Sequence, residues 1–411
     1  MATEDSRKKS GFVLIASIVV AALGYFVDVY DVILFSVVRS KSLVGLGVTG
    51  DDLLPVGLSL LNWMISGMVL GGIIWGILGD KKGRLKVLFT SIILYSFANI
   101  ANGYITTVQQ YKILRFISGI GLAGELGAGI TLVSEIMNPK KRGYGTMFIA
   151  TIGMLGAVLA AYIGQYYEWR TAFICGGIMG LVLLVLRFGV IESSAFRKSQ
   201  QQTNIQHGNI LKLFLSRKLF SRYSRAFFVA LPVYYVIVLL ITLTPEFGKA
   251  FNMVEMPTAG NAVVVMYIAI SFAGIICSLL SQILKSRKIP LYIFLTIVLT
   301  GIIFLLLVPP QTLNEFYIRY AVIGVGLGFW AVYMTSVAEQ FGTNLRVTVT
   351  ATAPNFSRAL LIPLMYLFQL LNTSLGIINS AAIVGISSVI IAYLGLYFTD
   401  ETFGRDLEFY E

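Results

Sequence analysis

Charged side chains are scarce in this sequence. Only 12% of its 411 residues are Asp, Glu, Lys or Arg, against about 25% in soluble globular domains. It has two cysteines and one histidine. Cys175 and Cys277 fall inside apolar segments, so we expect no disulfide, and His207 has no neighbouring ligands, so we expect no metal site. The composition excludes an ordinary soluble domain and a disulfide-rich secreted one.

Nucleotide-binding signatures are also missing. The sequence contains no G-x-x-x-x-G-K-[ST] motif. The GIGLAG match to G-x-G-x-x-G, between Gly119 and Gly124, follows no strand-to-helix unit. Small residues at this spacing let membrane helices approach closely. We therefore expect no cofactor and no enzyme activity, and any active transport must draw on an ion gradient.

Apolar segments make up most of the chain. Hydrophobic residues account for 57% of the sequence, which is enough for twelve transmembrane spans of about 20 residues. Hydropathy and loop signals place the spans at residues 11–38, 55–79, 85–105, 110–137, 143–166, 170–190, 226–247, 260–283, 289–308, 314–340, 347–371 and 376–398.

Basic residues mark one side of these spans. Lys and Arg cluster in SRKKS, DKKGRLK, NPKKRG, residues 191–225 and KSRK, which share one side if the spans alternate. The positive-inside rule makes this side and both termini cytoplasmic. The net charge of +11 therefore reflects membrane topology, and we expect no nucleic-acid partner. The sequence predicts a multi-pass protein of a bacterial inner membrane.

Two sets of charged residues have the same spacing, 20 and 7 positions, and stand 204 positions apart. They are Arg115, Glu135 and Arg142, and then Arg319, Glu339 and Arg346. Internal repeats of membrane segments are typical of secondary transporters. We predict an all-α integral membrane fold of twelve transmembrane helices in two pseudosymmetric six-helix halves. The halves are residues 1–190 and 226–411, and residues 191–225 form a cytoplasmic linker.

One loop carries a family signature. GILGDKKGRLK, with Asp80, Gly83 and Arg84, resembles the loop signature G-x-L-a-D-r-x-G-r-[RK] of the major facilitator superfamily. Its second copy, SLLSQILKSRK, has Gln282 in place of the acid. The resemblance extends over essentially the whole chain, through the glycines of span four and the sequences SEIMNPKKRG and IESSAF. It is similar to the sugar-porter and metabolite:proton symporter branches, and it implies alternating access by a monomer.

The sequence differs from two branches of this superfamily in their characteristic motifs. Span seven, YYVIVLLITLTPEFG, lacks the QQ-S-G-I-N motif of sugar porters. Span five, IGMLGAVLAAYIG, lacks the G-P-x-x-G-G pattern of drug:proton antiporters. A hexose substrate and drug export are therefore disfavoured.

The resemblance also implies a gate at the cytoplasmic ends of the helices. In such families, oppositely charged groups pair there in the outward-facing state and separate during the cycle. The second half would have a weaker counterpart, because Gln282 cannot pair as an ion. The expected gate residues are Asp80, Gly83, Arg84, Glu135, Arg142, Glu339 and Arg346.

Four ionisable residues lie within spans one and four. Asp28 and Asp31 share one face of span one, and Asp31 and Arg115 lie at similar depth. Charges inside a membrane are costly and usually functional. In related symporters an acid of span one pairs with the arginine of span four and takes up the proton. The resemblance implies this role for Asp31 and Arg115, and Asp28 and Glu125 are alternative proton or substrate sites.

A second set of candidates lies in the C-terminal half. Arg358 falls near the middle of span eleven, where a guanidinium should face a cavity or a partner, and it can bind a carboxylate bidentately. An alternative is a purely structural pairing within the protein. The further candidates for substrate binding are Asn355, Arg319, Tyr234, Tyr235 and Glu246.

The favoured function is proton-coupled uptake of a small organic anion such as a carboxylate. The expected partners are a small-molecule substrate and the lipid bilayer. Three alternatives remain open. They are a symporter or uniporter of a sugar, polyol or other neutral metabolite, a proton-coupled exporter, and a receptor or scaffold that does not transport.

Overall fold

The computed structural model describes residues 4–82, 84–124, 142–191 and 210–405, most of which are helical. Its α-helices are α1 (Glu4–Gly45), α2 (Leu53–Lys82), α3 (Arg84–Asn102), α4 (Val108–Leu122), α5 (Arg142–Tyr166), α6 (Trp169–Ile191), α7 (Ile210–Leu215), α8 (Arg217–Tyr234), α9 (Thr244–Ala250), α10 (Ala259–Ile283), α11 (Lys288–Leu307), α12 (Leu313–Leu327), α13 (Trp330–Gln340), α14 (Thr343–Ala359) and α15 (Leu361–Tyr397). A π-helix, Tyr235–Leu240, continues α8, and a 3-10 turn, Gly50–Asp52, precedes α2.

These helices account for the predicted spans. Nine segments of the described residues are long and apolar enough to cross a bilayer. The longest, Thr348–Tyr397, contains predicted spans eleven and twelve, because the chain turns within α15 at Gly376, where φ is 74°. Span three is the shorter apolar helix Val87–Asn102. Predicted span four (110–137) begins with α4, and its residues from 125 onward lie outside the described residues. The protein therefore has the twelve-helix, multi-pass membrane fold expected from its sequence.

The internal repeat is visible in helices α4 and α12. Each begins after a threonine whose side chain accepts a hydrogen bond from the backbone of the third helical residue, Thr107 in α4 and Thr312 in α12. Such caps satisfy a free N–H group at the helix start. A methyl group added at Gly119 would lie 2.2 Å from a carbonyl oxygen of α2, and one at Gly324 would lie 2.4 Å from a carbonyl oxygen of α10. The glycines of the GIGLAG sequence therefore serve close helix packing.

The ends of the helices lie on two faces, which are the two membrane sides of the protein. α1 begins on what we call the amino-terminal face and ends on what we call the far face. On the far face the Lys41 ammonium donates to the carbonyls of Gly164 and Gln165, at 3.0 and 2.7 Å, and ties the end of α1 to the end of α5. On the amino-terminal face, the Lys288 ammonium at the start of α11 donates to the carbonyl of Tyr397, which ends α15.

The two halves, α1–α6 and α8–α15, meet along close pairs of helices. α5 packs against α10, and α2 packs against α14. Glycines permit these approaches. A methyl group at Gly72 of α2 would lie 3.0 Å from the amide nitrogen of Asn355, and one at Gly260 of α10 would lie 2.3 Å from the amide nitrogen of Gln165. Side chains between the halves are consequently removed from solvent.

Candidate functional site

A group of aromatic and polar side chains lies between the two halves, and we call it the central cluster. It combines residues of helices from both halves, and almost all of its surface is buried. Burial of this many polar groups requires internal partners or a ligand. Its members are Tyr25 and Asp28 of α1, Met68 of α2, Tyr234 of α8, Tyr267 of α10, Trp330 of α13, and Asn355 and Arg358 of α14.

Arg358 is the cation of the central cluster. It is 9% exposed. Its Nη1 lies 3.0 Å from Asn355 Oδ1 and 3.4 Å from Met68 Sδ, and its guanidinium lies over the Tyr234 ring, 5.1 Å from the centroid. Nε is buried without a hydrogen-bond partner, and among the described residues the guanidinium forms no ion pair with a carboxylate. A buried guanidinium held by a neutral amide keeps its charge available for an anion.

Aromatic rings form the walls beside Arg358. The Tyr234 and Trp330 rings meet edge to face, with their centroids 5.8 Å apart. The centroids of the Trp330 and Tyr333 rings are 5.2 Å apart. Tyr25 is an electrostatic neighbour of Tyr234, Asp28 and Arg358. Flat aromatic walls around a cation suit a planar anion better than a bulky hydrated one.

Asp31 and Arg115 lie together inside the first half. Arg115 is 0% exposed, and its guanidinium sits over the rings of Phe35 and Phe173, 5.4 and 5.3 Å from their centroids. Its Nη2 donates to Met64 Sδ at 2.7 Å, while Nε and Nη1 have no hydrogen-bond partner among the described residues.

Asp31 is equally buried, and neither of its carboxylate oxygens has a hydrogen-bond partner in the described part of the chain. Arg115, Asp28 and Asn99 are its electrostatic neighbours. A methyl group at Gly176 of α6 would lie 2.5 Å from Asp31 Oδ1, so glycine is needed for α6 to pack here. The structure thus places Asp31 and Arg115 in one cluster without direct contact, and a small motion would change the electrostatic free energy of the ionised acid.

Glu246 is placed away from the central cluster, on the far face. Its Oε1 lies 2.5 Å from Nη2 of Arg39, which is 2% exposed. The same Nη2 donates to the Thr242 carbonyl at 3.1 Å, and the Thr242 hydroxyl donates to Ser36 Oγ at 3.0 Å. These four residues, the far-face contact, join α1 to the segment that follows the π-helix. Glu246 is therefore a contact between halves in this structure.

Arg319 and Tyr235 are also placed away from Arg358. Arg319 lies at the far face, where Nη1 donates to the carbonyls of Phe304 and Val308 and Nη2 lies 3.8 Å from Glu315. The Tyr235 hydroxyl donates to the carbonyl of Ala381 at 2.6 Å, inside the second half. Of the six predicted substrate-binding residues, the central cluster therefore contains Arg358, Asn355 and Tyr234. The other three have partners that are distant in sequence or are backbone carbonyls.

Glu339 has partners that the sequence did not predict. It accepts two hydrogen bonds from the Arg287 guanidinium, at 2.9 and 3.1 Å, in the second copy of the signature loop, and a third from the Thr402 hydroxyl at 2.9 Å. Gly83, Glu125 and Glu135 lie outside the described residues, as do the side chains of Asp80, Arg84, Arg142 and Arg346.

Sequence reasoning missed several members of these groups. Arg39 was counted only as a charge on the less basic side of the membrane. Tyr25, Met68 and Trp330 resemble ordinary packing residues of apolar helices. Arg39 lies six positions before the end of α1 but just beyond predicted span one, so its depth gave no signal.

Two repeated helical halves with buried charges at their interface are the architecture of a secondary transporter. The sequence model of the Major Facilitator Superfamily matches residues 11–365, and the chain belongs to that family. It is a small-molecule transporter and not an enzyme.

Several characterised or named relatives are similar to the chain. It is 25% identical over 94% of its length to a probable 4-methylmuconolactone transporter of Cupriavidus pinatubonensis, covering 90% of that protein. It is 32% identical over 45% of its length to a putative metabolite transport protein of Haemophilus influenzae, and 29% over 43% to a putative niacin/nicotinamide transporter of Bacillus subtilis. These two alignments span 46% and 44% of the relatives, about half of their lengths.

The fold is also similar to a solved structure. The proton:xylose symporter XylE aligns with a TM-score of 0.71 at 16% identity, covering 97% of this chain and 98% of that one. At this identity the likeness concerns the fold.

Proposed function

We propose that the protein takes up a small organic carboxylate together with protons, by alternating access, as a monomer in a bacterial inner membrane. The observation that carries this proposal is Arg358, a guanidinium buried between the halves, held by a neutral amide and walled by aromatic rings. The names of relatives support a carboxylate, since niacin is a ring carboxylic acid.

The anion is bound at Arg358. The guanidinium is a rigid fork of donors that matches a carboxylate, and Asn355 fixes its orientation through Oδ1. Because water is largely excluded, a charge-assisted pair there is stronger than in solution. The aromatic faces beside Arg358 favour a planar ring over a sugar, whose hydroxyl groups need many hydrogen-bond partners.

The proton is carried by Asp31. Arg115 lies close enough to act on the acid electrostatically but does not bond to it. Asp28, three residues away on the same helix face, is a neighbour both of Asp31 and of Tyr234 in the central cluster. Substrate bound at Arg358 and a proton bound at Asp31 are thereby linked through one helix, α1. A movement of α1 changes both environments together.

The far face is the outer side of the membrane, with both termini cytoplasmic. The far-face contact closes the outer path between the halves, and it has to break when the site opens outward. Arg39 and Glu246 therefore act as an outer gate that forms and separates in each cycle.

Purified protein in liposomes with a trapped pH dye tests the function. Adding benzoate, 4-hydroxybenzoate or nicotinate outside should acidify the interior, and xylose should not. Arg358→Lys should raise the apparent KM for the active carboxylate about tenfold, because one of two charge-assisted bonds is lost. Arg319→Lys is the matched control and should leave KM unchanged. Acidification by xylose, or an equal KM in all three proteins, would contradict the proposal.

A further inference from the structure

Three hydrogen-bond donors of the central cluster are buried and unsatisfied. They are Arg358 Nε, Trp330 Nε1 and the Tyr234 hydroxyl, none of which has a hydrogen-bond partner among the described residues. The Tyr25 hydroxyl lies beside the Trp330 indole, and Tyr234 lies beside Arg358, but neither contact has hydrogen-bond geometry. A buried donor without an acceptor is costly, so three in one place indicate a ligand.

The chemistry of these donors defines that ligand. A guanidinium and an indole N–H donate but cannot accept. Arg358 supplies the charge for a carboxylate, whereas the neutral indole of Trp330 suits an uncharged acceptor. The two residues flank one ring, since Arg358 lies 5.1 Å from the Tyr234 centroid and the Trp330 ring 5.8 Å from it. Both donors thus lie beside the Tyr234 ring, and a small ring with acceptors at separate positions is a ligand that could meet both.

A cavity no larger than about one water molecule adjoins Trp330. It lies between the halves and is lined by Trp330 and Ala331, by Thr151 and Met154 of α5, and by Ser271 and Gly274 of α10. Its wall is mostly apolar apart from two hydroxyl groups. Trp330 is the one residue of this lining whose side chain carries an N–H group.

We propose that Trp330 determines specificity by donating its indole N–H to a second acceptor of the substrate. The preferred substrate is a planar ring carboxylate that carries a hydroxyl, carbonyl or ring-nitrogen acceptor away from the carboxylate. This inference rests on the proposed function, because it takes the carboxylate to be bound at Arg358.

Binding to the purified protein in nanodiscs tests the inference without any need for transport. The probes are 4-hydroxybenzoate and nicotinate, which carry the second acceptor, and benzoate, which lacks it. Trp330→Phe removes the N–H and keeps an aromatic wall. It should weaken binding of the better acceptor-bearing probe about tenfold, as expected for one lost buried hydrogen bond. Benzoate binding should change less than about twofold.

Tyr333→Phe is the matched control. Tyr333 packs on Trp330, but its hydroxyl already donates to the Ala226 carbonyl at 2.9 Å, so its loss should affect all probes equally. If Trp330→Phe weakened the binding of all three probes equally, Trp330 would serve only in packing. If it weakened none, the indole N–H would interact with the Tyr25 hydroxyl and not with the substrate. Either result overturns the inference. Failure of every carboxylate to bind the wild type would instead refute the anion site itself.

Discussion

The far-face contact predicts how a single atom exchange changes the resting conformation. Glu246→Gln keeps the shape of the side chain and removes its charge, and Arg39 keeps only the Thr242 carbonyl as a strong acceptor. Breaking a fully buried ion pair costs about 3–5 kcal/mol. The Glu246 side chain is 23% exposed, so water compensates part of the loss and we expect about 2 kcal/mol. That free energy shifts the equilibrium towards the outward-open state about 30-fold.

Spin-label distances across the far face measure this shift. Val44 at the end of α1 is 52% exposed and Val254, before α10, is 100% exposed, so labels there should not disturb packing. The natural cysteines, Cys175 and Cys277, are replaced first. In Glu246→Gln, the distribution of distances between the two labels should gain a longer component. In the double variant Arg39→Glu with Glu246→Arg, which restores an ion pair of reversed charge, that component should shrink again.

Glu315→Gln is the control for the far-face measurement. Its carboxylate lies on the same face and pairs with Arg319 of its own helix, with a side chain 47% exposed. It joins no two halves, so its loss should leave the distances unchanged. Identical distributions in the wild type, Glu246→Gln and Glu315→Gln would refute the reasoning that the far-face contact holds the outer side closed.

Two further substitutions test the proton site and a surface carboxylate. Asp31→Asn should abolish accumulation against a gradient while exchange of labelled substrate continues, because the amide cannot release a proton; accumulation at the wild-type rate would move the role to Asp28. Burial alone would raise the pKa of Glu401, but hydrogen bonds from the Ser286 hydroxyl and from the backbone of Arg287, Phe403 and Lys288 hold it at about 2, below its ordinary 4.5. This depressed pKa stabilises the folded protein above pH 4.5, and the stabilisation is lost as the pH falls towards 2. Glu401→Gln should therefore lower the melting temperature by about 2 °C at neutral pH, and the difference from the wild type should shrink on acidification. A constant difference at all pH values would contradict this.

The sequence predicted the features that depend on composition and spacing. Twelve spans follow from the number of apolar residues, and the repeat follows from the charges around Arg115 and Arg319. Asp31 and Arg115 lie in one cluster, consistent with the similar depth of each charge in its span, but they do not form the expected ion pair in this structure. The depth of a residue in the membrane can be predicted from its position in a span, because each residue adds a fixed rise along a helix.

Contacts between distant segments could not be predicted. Glu246 was predicted to bind substrate. Its partner, Arg39, is 207 positions away, and this contact was not evident in the sequence. Arg319 was predicted to bind substrate beside Arg358, but it donates to carbonyls at the end of α11, and a sequence does not reveal free carbonyls at helix ends. Trp330 and Tyr25 gave no signal because aromatic residues in membrane helices usually pack.

The second signature loop, next to the contacts of Glu339, is held by the carboxylate of Glu401. In the second signature loop, Gln282 cannot supply the acid found at Asp80. A carboxylate nevertheless caps the start of α11, because Glu401 accepts from the N–H of Arg287 at 2.9 Å and from the Ser286 hydroxyl at 2.5 Å. Glu401 lies in the chain that follows α15, outside the signature loop. The second signature loop of this transporter is therefore held by a carboxylate that lies 115 positions from Ser286 and 114 positions from Arg287 in the sequence.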